Sequence, residues 1–457
     1  MPRFKTRLLS FAFLFLSACV GAFPNDSPTP TPQPTEPPPT AIPTATPLSA
    51  PTAIRTPPVG GLYVDPAQDL GPINPYVFGS NYGPWLGISP KALPYIAEAK
   101  LAFMRWPAGS WGDQNDVTEL QVDQFIALCE KSGWAPMINV RLENSTAEKA
   151  AALVKYVNVT RSYNVRYWAI GNEPNLYVGD YSVERFNREW RAWATAMRAV
   201  DPSIQLLGPE SSQYLGNVAG PGPVYRDYVI EFLKANGDLV DIVSVHRYPF
   251  PKSTISGPPS IADLRDNSRE WDEIIPDLRS LVREYTGRDL PVAVTEVNSS
   301  YARNNGGEAT MDSHYNAIWF GDVLGRMIRQ GVTIVAQWDL VREWGIVGRF
   351  EVHPLYYTYQ MYQHFGAQLI YASSDDPYVS VFGAKRTDGA LTILIVNLNS
   401  ELAGQTLTIE GVTAARPAEV WLFDPDHNAE QVEAIQLGGE TSLTLPPESM
   451  TLLVLNQ

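Results

Sequence analysis

At 457 residues the chain is longer than one hydrophobic core usually organises, so one large domain with a smaller one beside it is expected. An apolar fraction of 44% supports a packed globule, and a formal net charge of -15 argues against a nucleic-acid partner, whose phosphates such a surface would repel. Twelve Trp and 22 Tyr suit a protein that packs rings on sugar faces, although such side chains also fill cores.

The chain opens like an export signal. Arg3, Lys5 and Arg7 precede an apolar run from Leu8 to Leu16 that is too short to span a bilayer as a mature helix. Leu16-Ser17-Ala18-Cys19 resembles the bacterial lipobox. The resemblance implies a signal peptide over 1–18 and a lipidated Cys19 that anchors an extracytoplasmic protein to the membrane; an ordinary secretory signal cut at small residues is the alternative. Cys129 lies in the apolar pattern Val122, Phe125, Ile126, Leu128 and reads as a buried structural thiol. Residues 19–58, dominated from Pro24 onward by Pro, Thr, Ser and Ala, cannot bury enough surface to offset the entropy of ordering. They read as a disordered linker that tethers the body, or as a mucin-like stalk of the same composition.

From residue 59 short apolar runs alternate with longer amphipathic ones. Strands are expected at Tyr76–Asn81, Ala102–Trp106, Pro136–Arg141, Tyr167–Ile170, Ile204–Gly208, Asp241–Arg247, Val292–Glu296 and Thr333–Trp338. Helices are expected at Pro90–Ala99, Glu119–Ser132, Thr146–Ser162, Ser182–Val200, Tyr225–Ala235, Ile261–Tyr285 (one long helix, or one broken around Pro276), Ser313–Gln330 and Leu355–Phe365. Eight strand-helix units close a TIM (β/α)8 barrel, assigned to 59–366. After Gly366 the rhythm changes to short strands at 378–382, 391–396, 407–409, 420–423 and 452–455, a C-terminal antiparallel β-sandwich over 367–457. Gly61 to Asp65 is expected to add an edge strand to it.

The stretch Tyr167-Trp168-Ala169-Ile170-Gly171-Asn172-Glu173-Pro174-Asn175 ends a buried strand in an amide and a carboxylic acid. Neighbouring strand residues point to opposite faces, so Asn172 and Glu173 share a pocket only if the pleat breaks, and a bulge is expected there. Taken alone, the pair reads equally as a turn residue and a solvated carboxylate. The seventh strand, however, closes with a second carboxylate, Glu296, in Val294-Thr295-Glu296-Val297-Asn298. The two segments together resemble the motifs of glycoside hydrolases of clan A, retaining TIM-barrel enzymes that place an acid/base after strand four and a nucleophile on strand seven. The chain is similar to their xylosidase, arabinofuranosidase and glucuronidase families, which carry such a sandwich.

The resemblance implies a glycosidase that cleaves polysaccharide or oligosaccharide by double displacement, with Glu296 as nucleophile and Glu173 as acid/base. Retention needs the two carboxyls about 5–5.5 Å apart, and the Glu296 anion is then expected to raise Glu173 and keep it protonated. Asn172 matches the residue that binds the sugar 2-hydroxyl. Arg105, in Met104-Arg105-Trp106-Pro107-Ala108-Gly109, matches an Arg that keeps the nucleophile ionised, with Ala108 where relatives often read Gly. His246 and Tyr248 resemble the strand-six pair beside the nucleophile, a core His and a capping Tyr being the alternative. Trp338 sits where the clan stacks a ring on sugar, with core packing as the alternative. Asn81, Trp85, Trp111, Arg141, Asn144, Glu210 and Asp339 are further rim candidates.

No metal site or cofactor is expected: the five His are scattered, and no His-Glu-x-x-His, paired Cys, Gly-x-Ser-x-Gly or Gly-x-Gly-x-x-Gly occurs. Two other readings stay open: an endo-acting glucanase or xylanase, and a sugar-binding surface lipoprotein without turnover.

Overall fold

The structure is a computed structural model that describes residues 61–217, 223–251, 257–302, 305–342 and 345–456. The expected signal peptide, the lipidated Cys19 and the linker at 19–58 lie outside the described residues. Among the described residues no helix is long and apolar enough to cross a membrane.

A strand, β1 (Leu62–Pro72), comes first, and it belongs to the C-terminal sheet, not to the barrel. The barrel follows as β2 (Gly79–Asn81), β3 (Phe103–Trp106), β4 (Ala135–Val140), β5 (Tyr167–Ile170), β6 (Gln205–Ser211), β7 (Ile242–Arg247), β8 (Val292–Val297) and β9 (Ile334–Gln337). All eight run parallel, and β2 pairs with β9 to close the ring. Phe103, Met137, Ala169, Leu207, Ile242, Ala293 and Ile334, one from each of β3 to β9, form a single interior cluster. This is the packed layer that fills such a barrel, and it makes a dry floor beneath the strand ends.

Among the described residues ten α-helices surround the ring: α1 (Leu93–Glu98), α2 (Trp111–Gln114), α3 (Glu119–Ser132), α4 (Ala147–Val154), α5 (Val183–Val200), α6 (Pro223–Asn236), α7 (Ile261–Asn267), α8 (Trp271–Thr286), α9 (His314–Arg329) and α10 (Pro354–Gln363). Helix α3 matches its expected bounds because both ends are chemically marked. Thr118 and Gln121 form a reciprocal capping box, and Gly133 takes the left-handed conformation that stops it. Of the two readings of 261–285 the broken one holds, but not at Pro276: a 3-10 turn over Ser268–Glu270 separates α7 from α8, and Pro276 sits inside α8.

The last eight strands are β10 (Gln368–Ser374), β11 (Val379–Lys385), β12 (Leu391–Asn397), β13 (Ala403–Ile409), β14 (Arg416–Asp424), β15 (His427–Leu437), β16 (Glu440–Leu445) and β17 (Ser449–Leu455). With β1 they form a nine-stranded sheet in which β1 lies between β10 and β13, so the expected edge strand is an interior one and the barrel begins after it. Every strand sends side chains into one cluster, which requires the sheet to fold over on itself. The opposite face of β12 and β17, with Leu394, Val396, Leu452 and Val454, joins the core of the barrel helices. Two apolar faces explain why these strands read as continuous hydrophobic runs rather than alternating ones. The architecture is thus the expected TIM barrel with a C-terminal, mostly antiparallel β-sandwich.

Candidate active site

The carboxyl ends of the barrel strands converge on Arg105. Its guanidinium is fully buried and spends its hydrogens on four partners: Glu296 Oε1 at 2.8 Å, Asn172 Oδ1 at 2.7 Å, Glu210 Oε2 at 2.9 Å and Asn81 Oδ1 at 3.1 Å. A planar donor fork suits this work, since it fixes the orientation of each acceptor as well as supplying charge. Glu296 also accepts from the Tyr248 hydroxyl at 2.7 Å and the Gly109 backbone N–H at 3.2 Å.

The pleat does break at Asn172 and Glu173, but the expected bulge is not the means. Strand β5 pairs with both neighbours without a register shift and ends at Ile170. Gly171 at φ +80° and Glu173 at φ +49° then turn the backbone through left-handed conformations. A Cβ on Gly171 would lie 2.9 Å from Leu142, so only glycine fits the turn. Register shifts occur instead near the ends of β6, β7 and β8, beside Glu210, His246 and Glu296. Such irregularities re-aim side chains at strand ends, which places three neighbouring strands' polar groups in one cavity.

Glu173 and Glu296 offer oxygens within 4.8 Å of each other, and His246 lies between them. Its Nδ1 is 3.2 Å from Glu173 Oε1 and 3.8 Å from Glu296 Oε2, and its Nε2 is 3.3 Å from Glu210 Oε2. Burial works against the imidazolium, but Glu296, Glu173 and Glu210 raise His246 to about 9. Glu210, likewise penalised by burial, is brought down to about 2 by Arg105 and His246.

Glu173 departs from the raised state expected of it. Burial would raise it, yet the hydrogen bond and charge of His246 draw it below the ordinary carboxylate range. Glu296 moves the other way: burial and the neighbouring Glu173 charge push it up against the pull of His246 and Arg105. Glu173 is thus drawn down and His246 drawn up across the hydrogen bond they share.

Trp338 lies across Gly109, where a Cβ would come 2.5 Å from its ring. The other rim candidates divide. Asn81 is spoken for, its amide donating to the carbonyls of Thr295, Ala336 and Gln337. Glu210 is a support for Arg105 and His246, and its own carbonyl accepts from the Glu173 N–H at 3.0 Å. Asp339 is buried and its carbonyl holds the Ile346 N–H. Arg141 turns away to Asp116 and the Glu143 carbonyl, and Asn144 is an exposed turn residue, so neither joins the cluster. Trp85 and Trp111 pair with ring centroids 5.6 Å apart.

Sequence reasoning missed Asp113. Its carboxylate, 2% exposed, accepts from the Leu142 N–H at 2.8 Å, the Asn172 N–H and the Tyr177 hydroxyl. It therefore clamps both ends of the turn that carries Glu173. An Asp inside Ser110-Trp111-Gly112-Asp113 looks like loop polarity; only its burial gives it away. Cys129 is buried and free, as expected.

Glu173, His246 and Glu296 also present the three donor atoms a divalent cation would need. The set suits protons better, since both imidazole nitrogens face carboxylates and the Arg105 guanidinium already lies against Glu296.

Comparison with known proteins agrees with this geometry. The pattern of glycosyl hydrolases family 39 matches residues 150–336, a span that includes Glu173, His246 and Glu296. The chain is similar to α-L-arabinofuranosidase C of Emericella nidulans, 23% identical over 75% of this chain and 85% of that one. Among solved structures, the α-L-arabinofuranosidase of Thermotoga maritima in complex with arabinose superposes with a TM-score of 0.71 at 17% identity, covering 87% of this chain and all of that one. CelM2, a bifunctional glucanase-xylanase from a metagenome library, superposes at 0.67 with 20% identity, covering 86% and 98%. With the eight-stranded barrel, the trailing sandwich and these relatives, the chain is a clan A glycoside hydrolase, a glycosidase.

Proposed function

We propose that this glycosidase retains anomeric configuration, with Glu296 as nucleophile and Glu173 as acid/base. The observation that carries the reading is the separation of the two acids, whose oxygens lie within 4.8 Å. That is near the roughly 5–5.5 Å of retaining enzymes and short of the roughly 6.5–9.5 Å that leaves room for an attacking water. Glu296 has three donors on its oxygens, Arg105, Tyr248 and Gly109, which favour an anion ready to attack the anomeric carbon.

Glu173 must be neutral when it acts. Its proton is available from His246 Nδ1, one hydrogen bond away at 3.2 Å. A sugar that covers Glu173, now 17% exposed at its side chain, removes the water that favours its charge. The proton then passes to Glu173 and on to the leaving oxygen as Glu296 forms the glycosyl ester. In the second half Glu173 takes a proton from water, whose oxygen attacks the anomeric carbon and releases Glu296. Asn172, held through Oδ1 by Arg105, has its Nδ2 hydrogens for a sugar hydroxyl.

L-Arabinofuranosides are the first substrates to try, on the names of the similar proteins; β-glucans and xylans are the second, on the fold shared with CelM2. The lipobox supports an extracytoplasmic enzyme tethered through Cys19. The test is a panel of aryl glycosides with NMR of the first-formed anomer. A retained product is expected, and Glu173→Ala should lose roughly 10²–10⁴-fold on unactivated glycosides but far less on activated ones. An inverted product refutes Glu296 as nucleophile, and no turnover on any glycoside leaves a sugar-binding protein.

A further inference from the structure

The described part of the chain holds eleven tryptophans, and nine of them lie in the main hydrophobic core or pack against it. Trp111 and Trp338 stand outside every core cluster. Both are half-buried at the barrel mouth, and they flank Gly109, whose N–H touches Glu296. Trp338 is the ring that the clan resemblance implies is stacked on the sugar being cleaved. Trp111 has no such assignment, and a tryptophan that fills no core leaves a large apolar face to water at some cost.

Its surroundings are built to hold that face in place. Trp85, from the loop after β2, packs against Trp111 with centroids 5.6 Å apart and planes inclined by 35°. The Trp85 ring lies on the backbone of Gly83, where a Cβ would fall 1.9 Å from it, and the Trp85 carbonyl accepts from Arg342 Nη2 at 3.1 Å. Trp85 is thus wedged between the core and Trp111, and Trp111 is propped from behind. Trp338 on Gly109 and Trp85 on Gly83 each lie on a glycine too bare to push the ring out.

We infer that Trp85 and Trp111 form a second sugar subsite, a platform for a ring of an oligosaccharide next to the unit held at Trp338. Sugar rings present C–H faces to indoles as other apolar surfaces do, without regard to the exact hydroxyl pattern. The substrate is then a chain of at least two sugar units, and the platform supplies affinity for the unit that is not at the reacting centre. This inference rests on the reading of Glu173 and Glu296 as the cleaving pair.

The test compares wild type, Trp111→Ala and Trp111→Phe on methyl glycosides, which have one ring, and on arabino- and xylo-oligosaccharides of two to five units. Trp111→Ala should lose at least tenfold in kcat/KM on the oligosaccharides, chiefly through KM, with the methyl glycoside within about threefold; Trp111→Phe should keep most of the wild-type value. Equal losses on both substrate types, or none on either, overturn the platform. Calorimetry of oligosaccharides against free monosaccharide on Glu296→Gln separates the two readings. Chain-length-dependent binding that Trp111→Ala abolishes supports the platform even where turnover fails, and binding that ignores Trp111 overturns it even where turnover succeeds.

Discussion

Replacing Asp113 by Asn tests how the Glu173 turn is held. The carboxylate accepts from four donors: the N–H groups of Leu142, Glu143 and Asn172 and the hydroxyl of Tyr177. An amide has one acceptor oxygen, so whichever way it faces, its NH2 confronts a buried N–H. Leaving one backbone donor unpaired costs about 1–3 kcal/mol. An opposing term exists. Burial holds Asp113 up at about 6 against its ordinary 3.8, so at neutral pH folding carries a penalty for that charge of up to about 3 kcal/mol, which the amide removes.

The two terms nearly cancel, and the variant should lose no more than about 2 kcal/mol in urea unfolding at pH 7. Activity has no such compensation. The Asn172 N–H loses its anchor, and misplacing Asn172 and Glu173 by about 1 Å can cost about 100-fold in kcat/KM. The pH dependence gives a second signature. Folded wild type takes up a proton on Asp113 between about pH 4 and 6, so it gains stability relative to Asp113→Asn as pH falls through that window. A variant with kcat/KM within twofold of wild type refutes the clamp. If Asp113→Asn fails to fold, Tyr177→Phe, which removes one donor and leaves the carboxylate, should show the same loss of kcat/KM in weaker form.

Two further outcomes follow from the site. His246 is held at about 9 against 6.5 in an unfolded chain, so its charge contributes stability fully present below about pH 6.5 and lost as pH rises through 9, on the order of 3 kcal/mol; urea unfolding should show the gap between wild type and His246→Gln narrowing over that range, and a gap that ignores pH means the imidazole is neutral. Gly109→Ala places a methyl 2.5 Å from the Trp338 ring at a backbone φ of +63°, so it should fold with a loss of about 1–3 kcal/mol and drop kcat/KM at least tenfold, whereas unchanged kinetics would show that Trp338 does not contact the reacting sugar.

What the sequence disclosed and what it hid differ in range. The ring of eight strands was legible because each strand is a local apolar run, and Glu296 stood out because a carboxylate in a strand end rich in buried Val and Ala has few structural uses. The place of β1 was not, since Leu62-Tyr63-Val64 announces a strand while its neighbours, Ser374-Ser373-Ala372 and Leu407-Thr408-Ile409, lie some three hundred residues away. Asp113 was hidden for the same reason: its partners come from the ends of β4 and β5.

The charge state of Glu173 shows the limit most sharply. Two acids close together imply that one holds a proton, and that inference is sound for two acids alone. The site also holds Arg105, Glu210 and His246, and the imidazole between the two acids is drawn up to about 9 while Glu173 is drawn down. On the mechanism proposed above, Glu173 becomes an acid when substrate displaces the water that favours its charge. If so, the basic limb of the pH profile should track His246 in kcat/KM, which reports the free enzyme, and shift in kcat, which reports the complex. A basic limb unmoved by His246→Gln would return the proton to Glu173 and leave the imidazole a positioning role alone.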